Sequence, residues 1–437
     1  MARGARLETQ SMTFGRTVPA ILGMTILAAC GQPGIDRSSD LSSNTEQDVQ
    51  VPHTPTAIRP FEVAVPEDTL EDLQVRLART RFPDQLDNVG WDYGTDLTYL
   101  RELVEYWRGE FDWRSQERQL NALDQFKTEI DGLDLHFIHQ RSPNPNAVPL
   151  LVTHGWPGSI VEFTKIIGPL TDPEAHGGNT SDAFHVVAPS LPGYGFSGIP
   201  RVPGYGPEKM AAINAALMAR LGYDRYGVQG GDWGGIISRW TAFNDAEHVT
   251  GAHLNFVTGA SPPDPDNPNE GVAEEELVRL RERQQFMSTE RGYSRIQGTK
   301  PQTLGYGLND SPAGLAAWIV EKFRTWCDCG GNIESVFTKD ELLTNVMLYW
   351  TTGTITSSTR IYYESRNATP ARPLGYVSTP TGAAIFPKEI NAPPRRWAEN
   401  RFNIVHWTVM PRGGHFAALE QPELLVDDIR MFFRLVR

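Results

Sequence analysis

The chain has 437 residues, 40% hydrophobic and 21% charged, a globular balance that excludes a disordered protein. It carries 53 Asp and Glu against 40 Lys and Arg, a formal charge of −13 without basic runs, so no nucleic-acid partner is expected. Three cysteines exclude a disulfide-built scaffold, and a single apolar run of near-membrane length, at the N-terminus, excludes a polytopic membrane protein.

That run, residues 17–29 (TVPAILGMTILAA), follows Arg3, Arg6 and Arg16 and reads as a secretory signal. It ends in Leu27-Ala28-Ala29-Cys30-Gly31, which resembles a bacterial lipobox, with Cys30 as the lipidated first residue of the mature chain. Either Met1 or Met12 can serve as the start. The expectation is an exported protein of a bacterial cell envelope, lipid-anchored at Cys30. Gly31 in place of Asp favours the outer membrane. Residues 30–57 are polar and Pro-containing and read as a flexible tether.

Beyond the tether, FEVAVPEDTLEDLQVRLARTRFPD starts strand-like and turns helical after Glu67-Asp68-Thr69. A second helix is expected over 97–111. FKTEIDGLDLHFIHQRS alternates as a hairpin turning at Asp131-Gly132. Apolar runs at 148–153, 184–188 and 226–229 each end in a loop rich in Gly, Pro or polar residues, with helical segments between. This is the pattern of a parallel sheet with crossover helices, whose ligands bind at the carboxyl ends of the strands. Residues 262–370 break the rhythm with PPDPDNPNE, a charged helix and aromatic-rich segments, which predicts an inserted helical lid. Strand-like runs resume at 382–386 and 402–410. The expected division is signal 1–29, tether 30–57, N-terminal arm 58–145, core 146–261, lid 262–370 and core 371–437.

GGDWGG follows a strand and precedes a helix. Small residues two before, two after and three after Asp232 suit a sharp elbow that lifts one side chain above the sheet. Here it is a carboxylate, which can attack an sp3 carbon to give an alkyl-enzyme ester; a helix-capping Asp is the plainer reading. HGWPG after the strand LLVT can aim the Trp156 N–H at that carboxylate, and with the Trp233 N–H it would form an oxyanion hole. His415 in RGGHF, after the last strand, suits a general base. Glu389 in FPKEI suits the acid that orients it, with Asp264 in reserve. No His pair stands at convincing metal-ligand spacing, so no metal is expected. Cys327 and Cys329 read as free thiols.

Together HGWPGS, LPGYGFS, GGDWGG, IQGTKPQTLGYGLNDSPAGLAAWIVEKF, NVMLYWTTGTITSS, FPKEI and RGGHFAALEQPELL, with the arm RPFEVAVPEDTLEDLQVRLARTRFPD, resemble microsomal-type epoxide hydrolases of the α/β-hydrolase superfamily. The resemblance spans about residues 58–437. It implies an α/β-hydrolase fold with a helical lid and an arm that wraps core and lid. It also implies two lid tyrosines that protonate the epoxide oxygen, by motif Tyr293 and Tyr362, the second with Tyr363 as its neighbour. No cofactor is implied. The expected reaction converts a hydrophobic epoxide and water to a vicinal diol through an ester on Asp232. A haloalkane or haloacid dehalogenase on the same Asp-His-acid scaffold and a non-catalytic binding lipoprotein are the alternatives. Oligomeric state is left open, a dimer included.

Overall fold

The computed structural model describes residues 56–368 and 374–437. The expected signal segment, Cys30 and nearly all of the tether fall outside them.

The arm opens with β1 (Arg59–Pro60) and α1 (Glu67–Ala78), continues through α2 (Leu97–Gly109) and α3 (Trp113–Leu120), and closes with the hairpin β2 (Gln125–Ile130) and β3 (Leu133–Gln140). Asp96 and Asp112 cap the N-termini of α2 and α3 through their side chains. In α2, Leu100, Leu103, Val104 and Trp107 recur at helical spacing and form the buried face. The helix α3 is not foreseen in the sequence. Its composition is polar, and only Trp113, Glu117 and Leu120 turn inward.

The central part alternates β4 (Val148–Thr153), α4 (Thr164–Thr171), β5 (Phe184–Pro189), α5 (Pro207–Arg220), β6 (Tyr226–Gly230), α6 (Asp232–Asn244) and β7 (Val249–Leu254). Six helices follow without a strand: α7 (Glu274–Glu290), α8 (Gly292–Gln297), α9 (Pro301–Leu308), α10 (Pro312–Trp326), α11 (Lys339–Thr352) and α12 (Ile355–Asn367). The chain then returns through β8 (Val377–Ile385), α13 (Arg395–Glu399), β9 (Phe402–Val409), α14 (Ala417–Glu420) and α15 (Pro422–Val436).

Among the described residues the strands form one nine-stranded sheet in the order β1-β2-β3-β5-β4-β6-β7-β8-β9. The arm's hairpin joins antiparallel, and from β5 to β9 every pairing is parallel, which is the mostly parallel sheet the sequence implied. Helices cover both faces, so the central strands are largely apolar, as in Leu150, Leu151 and Val152.

Register fixes the site. Thr153 pairs with Gly230, so the loops after β4 and β6 emerge side by side. Ile385 pairs with Val409, which does the same for the loops after β8 and β9. All four loops leave the carboxyl edge of the sheet, where a crevice is expected. The arm meets the lid above. Thr95 Oγ1 donates to the Ala317 carbonyl at 2.7 Å, and Tyr106 Oη donates to Asp340 at 2.8 Å.

Candidate active site

Asp232 starts α6 with φ +47°, a left-handed conformation rare outside glycine. Such strain persists only where the surroundings enforce it. Here they do: a Cβ on Gly234 would lie 1.8 Å from the Thr153 carbonyl oxygen, so nothing larger fits under the turn. A Cβ on Gly155 would lie 2.1 Å from Asp232 Oδ1. Its absence lets the backbone close in, and the Trp156 N–H donates to that oxygen at 2.7 Å. The Trp233 N–H stands in the first turn of α6, where amides have no partner within the helix. It makes no hydrogen bond to Asp232 among the described residues.

The loop bearing Trp156 is fixed from two sides. His154 is buried, and burial lowers its pKa to about 4, so the ring is neutral. Its Nδ1–H donates to the Gly155 carbonyl, and its Nε2 accepts from the Leu191 N–H of LPGYGFS. From the lid, Asn345 Nδ2 donates to the Pro157 carbonyl at 2.8 Å, and Tyr349 Oη donates to the Gly158 carbonyl.

On the other side of Asp232 stands His415, with Nε2 at 3.4 Å from Oδ2. Its Nδ1 lies 2.7 Å from Glu389 Oε1, which also accepts from the Ile390 N–H. Asp264 is half-buried and spends its carboxylate on its own turn, accepting from Asp266 N and Asn267 Nδ2. Burial alone would lower the His415 pKa. The charge of Glu389, with the hydrogen bonds to Asp232 and Glu389, instead carries it well above the ordinary value. Burial holds the Glu389 pKa above its ordinary value, and His415 offsets part of that rise. His415 thus stands buried between the carboxyl groups of Asp232 and Glu389.

The histidine loop is bolted to the lid. Glu420 accepts from the N–H groups of Gly414, Phe416 and Asp328, each at 2.9 Å. Asp328 returns a bond from the Gly413 N–H, and the His415 N–H donates to the Trp326 carbonyl. Sequence reasoning missed Glu420, because a lone acid before a helix reads as a cap. The structure corrects the reading of Cys327 and Cys329 as free thiols: beside this joint they form a disulfide.

Above Asp232 two phenols close the site. Tyr293 from α8 stacks on the Trp156 indole at 5.4 Å, and Tyr362 from α12 meets both the Trp233 ring and Tyr293 edge-on. Tyr362 is 8% exposed and its neighbour Tyr363 is 42% exposed, so position 362 faces inward. The Tyr362 hydroxyl is buried without a hydrogen-bond partner. Buried polar atoms are nearly always paired, so such an orphan marks a place for something that arrives. Burial, together with nearby Asp232, pushes both phenols up in pKa, and they stay protonated.

A cavity of about 370 Å³ opens onto Asp232 and both tyrosines. Its walls include Ile236, Phe256, Leu280, Met287 and Trp397. They come from the core, from α7 and from the segment after β8. The cavity can enclose a small apolar molecule with one reactive polar atom beneath two O–H donors.

Residues 58–163 match the family described as "Epoxide hydrolase N terminus", and residues 148–289 match "alpha/beta hydrolase fold". Epoxide hydrolase 1 of Sus scrofa is 42% identical, over 87% of this chain and 89% of its own. The crystal structure of juvenile hormone epoxide hydrolase from the silkworm Bombyx mori is 36% identical with a TM-score of 0.81, covering 87% of this chain and 95% of that one. The Aspergillus niger epoxide hydrolase structure is 34% identical with a TM-score of 0.79, covering 88% and 97%. These likenesses overturn one expectation. The relatives in pig and silkworm are epoxide hydrolases of eukaryotic cells, so the expected export to a bacterial envelope with a lipid anchor at Cys30 is withdrawn.

Proposed function

This chain belongs to the epoxide hydrolase family and has the α/β-hydrolase fold, and from that premise we propose how its own residues turn an epoxide and water into a vicinal diol. One observation carries the assignment of roles: the Asp232 carboxylate lies between His415 on one side and two buried phenols above.

In the first step an Asp232 oxygen attacks an oxirane carbon. A carbon–oxygen bond forms, the ring bond breaks, and its electron pair moves onto the ring oxygen. Tyr293 and Tyr362 hold that oxygen, and one of them gives it a proton. Their raised pKa values mean that the donors are in the protonated form when needed.

The ester changes the electrostatics. The Asp232 charge helps hold His415 protonated, and ester formation removes it. The imidazolium then loses a partner and gives up its proton more readily, to the phenolate through solvent. Neutral His415, oriented by Glu389, accepts a proton from water as the water oxygen bonds to Asp232 Cγ. The Trp156 and Trp233 N–H groups hold the resulting oxyanion; each such donor is worth about 3 kcal/mol. Collapse breaks the ester bond, and His415 returns the proton to the departing alcohol.

The apolar walls favour epoxides with apolar substituents. A dehalogenase would need halide-binding N–H donors where this site holds two phenols. The test offers a panel of aryl and alkyl epoxides to the full chain and to Asp232→Ala. Diol from the parent alone supports the reading; diol from both would sink Asp232 as nucleophile. Halide release from haloalkanes without diol from any epoxide would replace the reaction.

A further inference from the structure

Asp232 has a second cavity behind it. It is far smaller than the first, about 20 Å³, and is lined by His154, Glu162, Gln229, Asp232, Asn255 and His415 among others. A single water needs roughly 10–15 Å³ of such space and two to four polar partners. Asp232 borders both cavities, so the nucleophile separates the substrate space from this one.

The cavity has a built lining. Glu162 lies on the 3-10 turn Ile160–Phe163, which Ser159 caps. A Cβ at Gly158 would fall 1.5 Å from Glu162 Oε1, so the glycine of HGWPG leaves the space that the carboxyl fills. Among the described residues no hydrogen bond is made to that carboxyl. Gln229 is 1% exposed, and its Oε1 has no partner. Its Nε2 is committed to Asn255 Oδ1 at 2.8 Å, and both amide residues line the cavity. A polar pocket of one-water size thus holds an unpaired acid, an unpaired carbonyl and the catalytic imidazole.

We propose that this cavity seats the hydrolytic water and that Glu162 is the positioning residue that holds it against His415 and the Asp232 ester. The inference rests on the two-step reaction above. The water gives one proton to His415 Nε2 as its oxygen bonds to Asp232 Cγ. Its other O–H points to Glu162 or Gln229 Oε1, which leaves the oxygen lone pair aimed at the carbonyl carbon. The ester C–O bond breaks, and the alcohol leaves with the proton from His415. Glu162 ends with the proton count it began with. It orients the water and is not the base.

The experiment mixes styrene oxide with the parent, Glu162→Ala and Glu162→Gln in the full chain. Acid quench and intact-protein mass follow the ester, and diol release follows turnover. In Glu162→Ala the alkylation rate should stay within about threefold of the parent, and ester hydrolysis should slow about 10- to 100-fold, the loss expected from misplacing a reactant. The ester then becomes the dominant form of the enzyme. Glu162→Gln keeps a hydrogen-bonding group of the same shape and should recover most of the hydrolysis rate. If Glu162→Ala does not fold, Gln229→Leu carries the same expectation of selective loss in hydrolysis. The proposal is overturned if Glu162→Ala hydrolyses its ester as the parent does. It is equally overturned if alkylation and hydrolysis fall together and Gln restores neither. A parent that forms neither ester nor diol overturns the reaction itself, and this inference with it.

Discussion

The floor and the roof of the site are built on different principles. In the floor, Trp156, Asp232, His415 and Glu389 are linked by contacts of 2.7 to 3.4 Å into one charged chain. In the roof, Tyr293 and Tyr362 are held by ring packing against tryptophans, and the Tyr362 hydroxyl is left unpaired. A hydrogen-bonded floor fixes protonation states and shares charge. A packed roof fixes position and leaves the Tyr362 hydroxyl for a ligand. The two halves should therefore fail in different ways.

The largest effect is expected in the floor. His415→Ala should still be alkylated but hydrolyse its ester about 10³- to 10⁴-fold more slowly, so that one equivalent of bound epoxide persists in the protein mass. Glu389→Gln leaves the shape but removes the charge that orients the imidazole; a loss of about 10²- to 10³-fold in hydrolysis should appear by single-turnover quench. Roof variants should stall earlier. Tyr293→Phe and Tyr362→Phe should each slow alkylation about 10- to 100-fold, with no ester build-up, in stopped-flow tryptophan fluorescence. A roof variant that accumulates ester would erase the distinction.

The smallest effect is on stability. Burial carries the Glu162 pKa from its ordinary 4.5 up to about 8; His415 pulls it down, and the charges of Asp232 and Glu389 push it up. The folded chain thus holds this proton more tightly than the unfolded one. The stability it contributes is full below about pH 4.5 and is lost as pH rises through about 8. Glu162→Gln has no proton to lose, so its Tm should fall less than the parent's between pH 5 and 8.5 in calorimetry. Equal slopes would contradict this. Glu420, raised to about 7 by burial, adds a slope of the same sign in both proteins.

This contrast also explains what the sequence discloses. Each floor residue follows a strand of the parallel sheet and sits among glycines or prolines, as in GGDWGG, FPKEI and RGGHF. The constraint there is local backbone geometry, and local geometry leaves a pattern. The hairpin and most strands are legible for the same reason, with ends within a residue or two, although β8 begins five residues before its expected start. The roof is different. Tyr293 and Tyr362 are two among 13 tyrosines, and their spacing says nothing about where α8 and α12 fold back. Only resemblance singles them out. Glu162 is less legible still, an acid in an apolar run whose seat depends on an absent side chain four residues earlier. The Cys327–Cys329 bond depends on how the end of α10 turns, which composition does not record.

The joint at Glu420 bears on traffic through the enzyme. Because one carboxylate accepts from both the chain after α10 and the histidine loop, a shift of that part of the lid would carry the imidazole with it. The space above Asp232 is walled on its outer side by Leu280 and Met287 of α7 and by Trp397. Trimming Leu280 or Met287 would widen the guest list while leaving the reaction itself untouched.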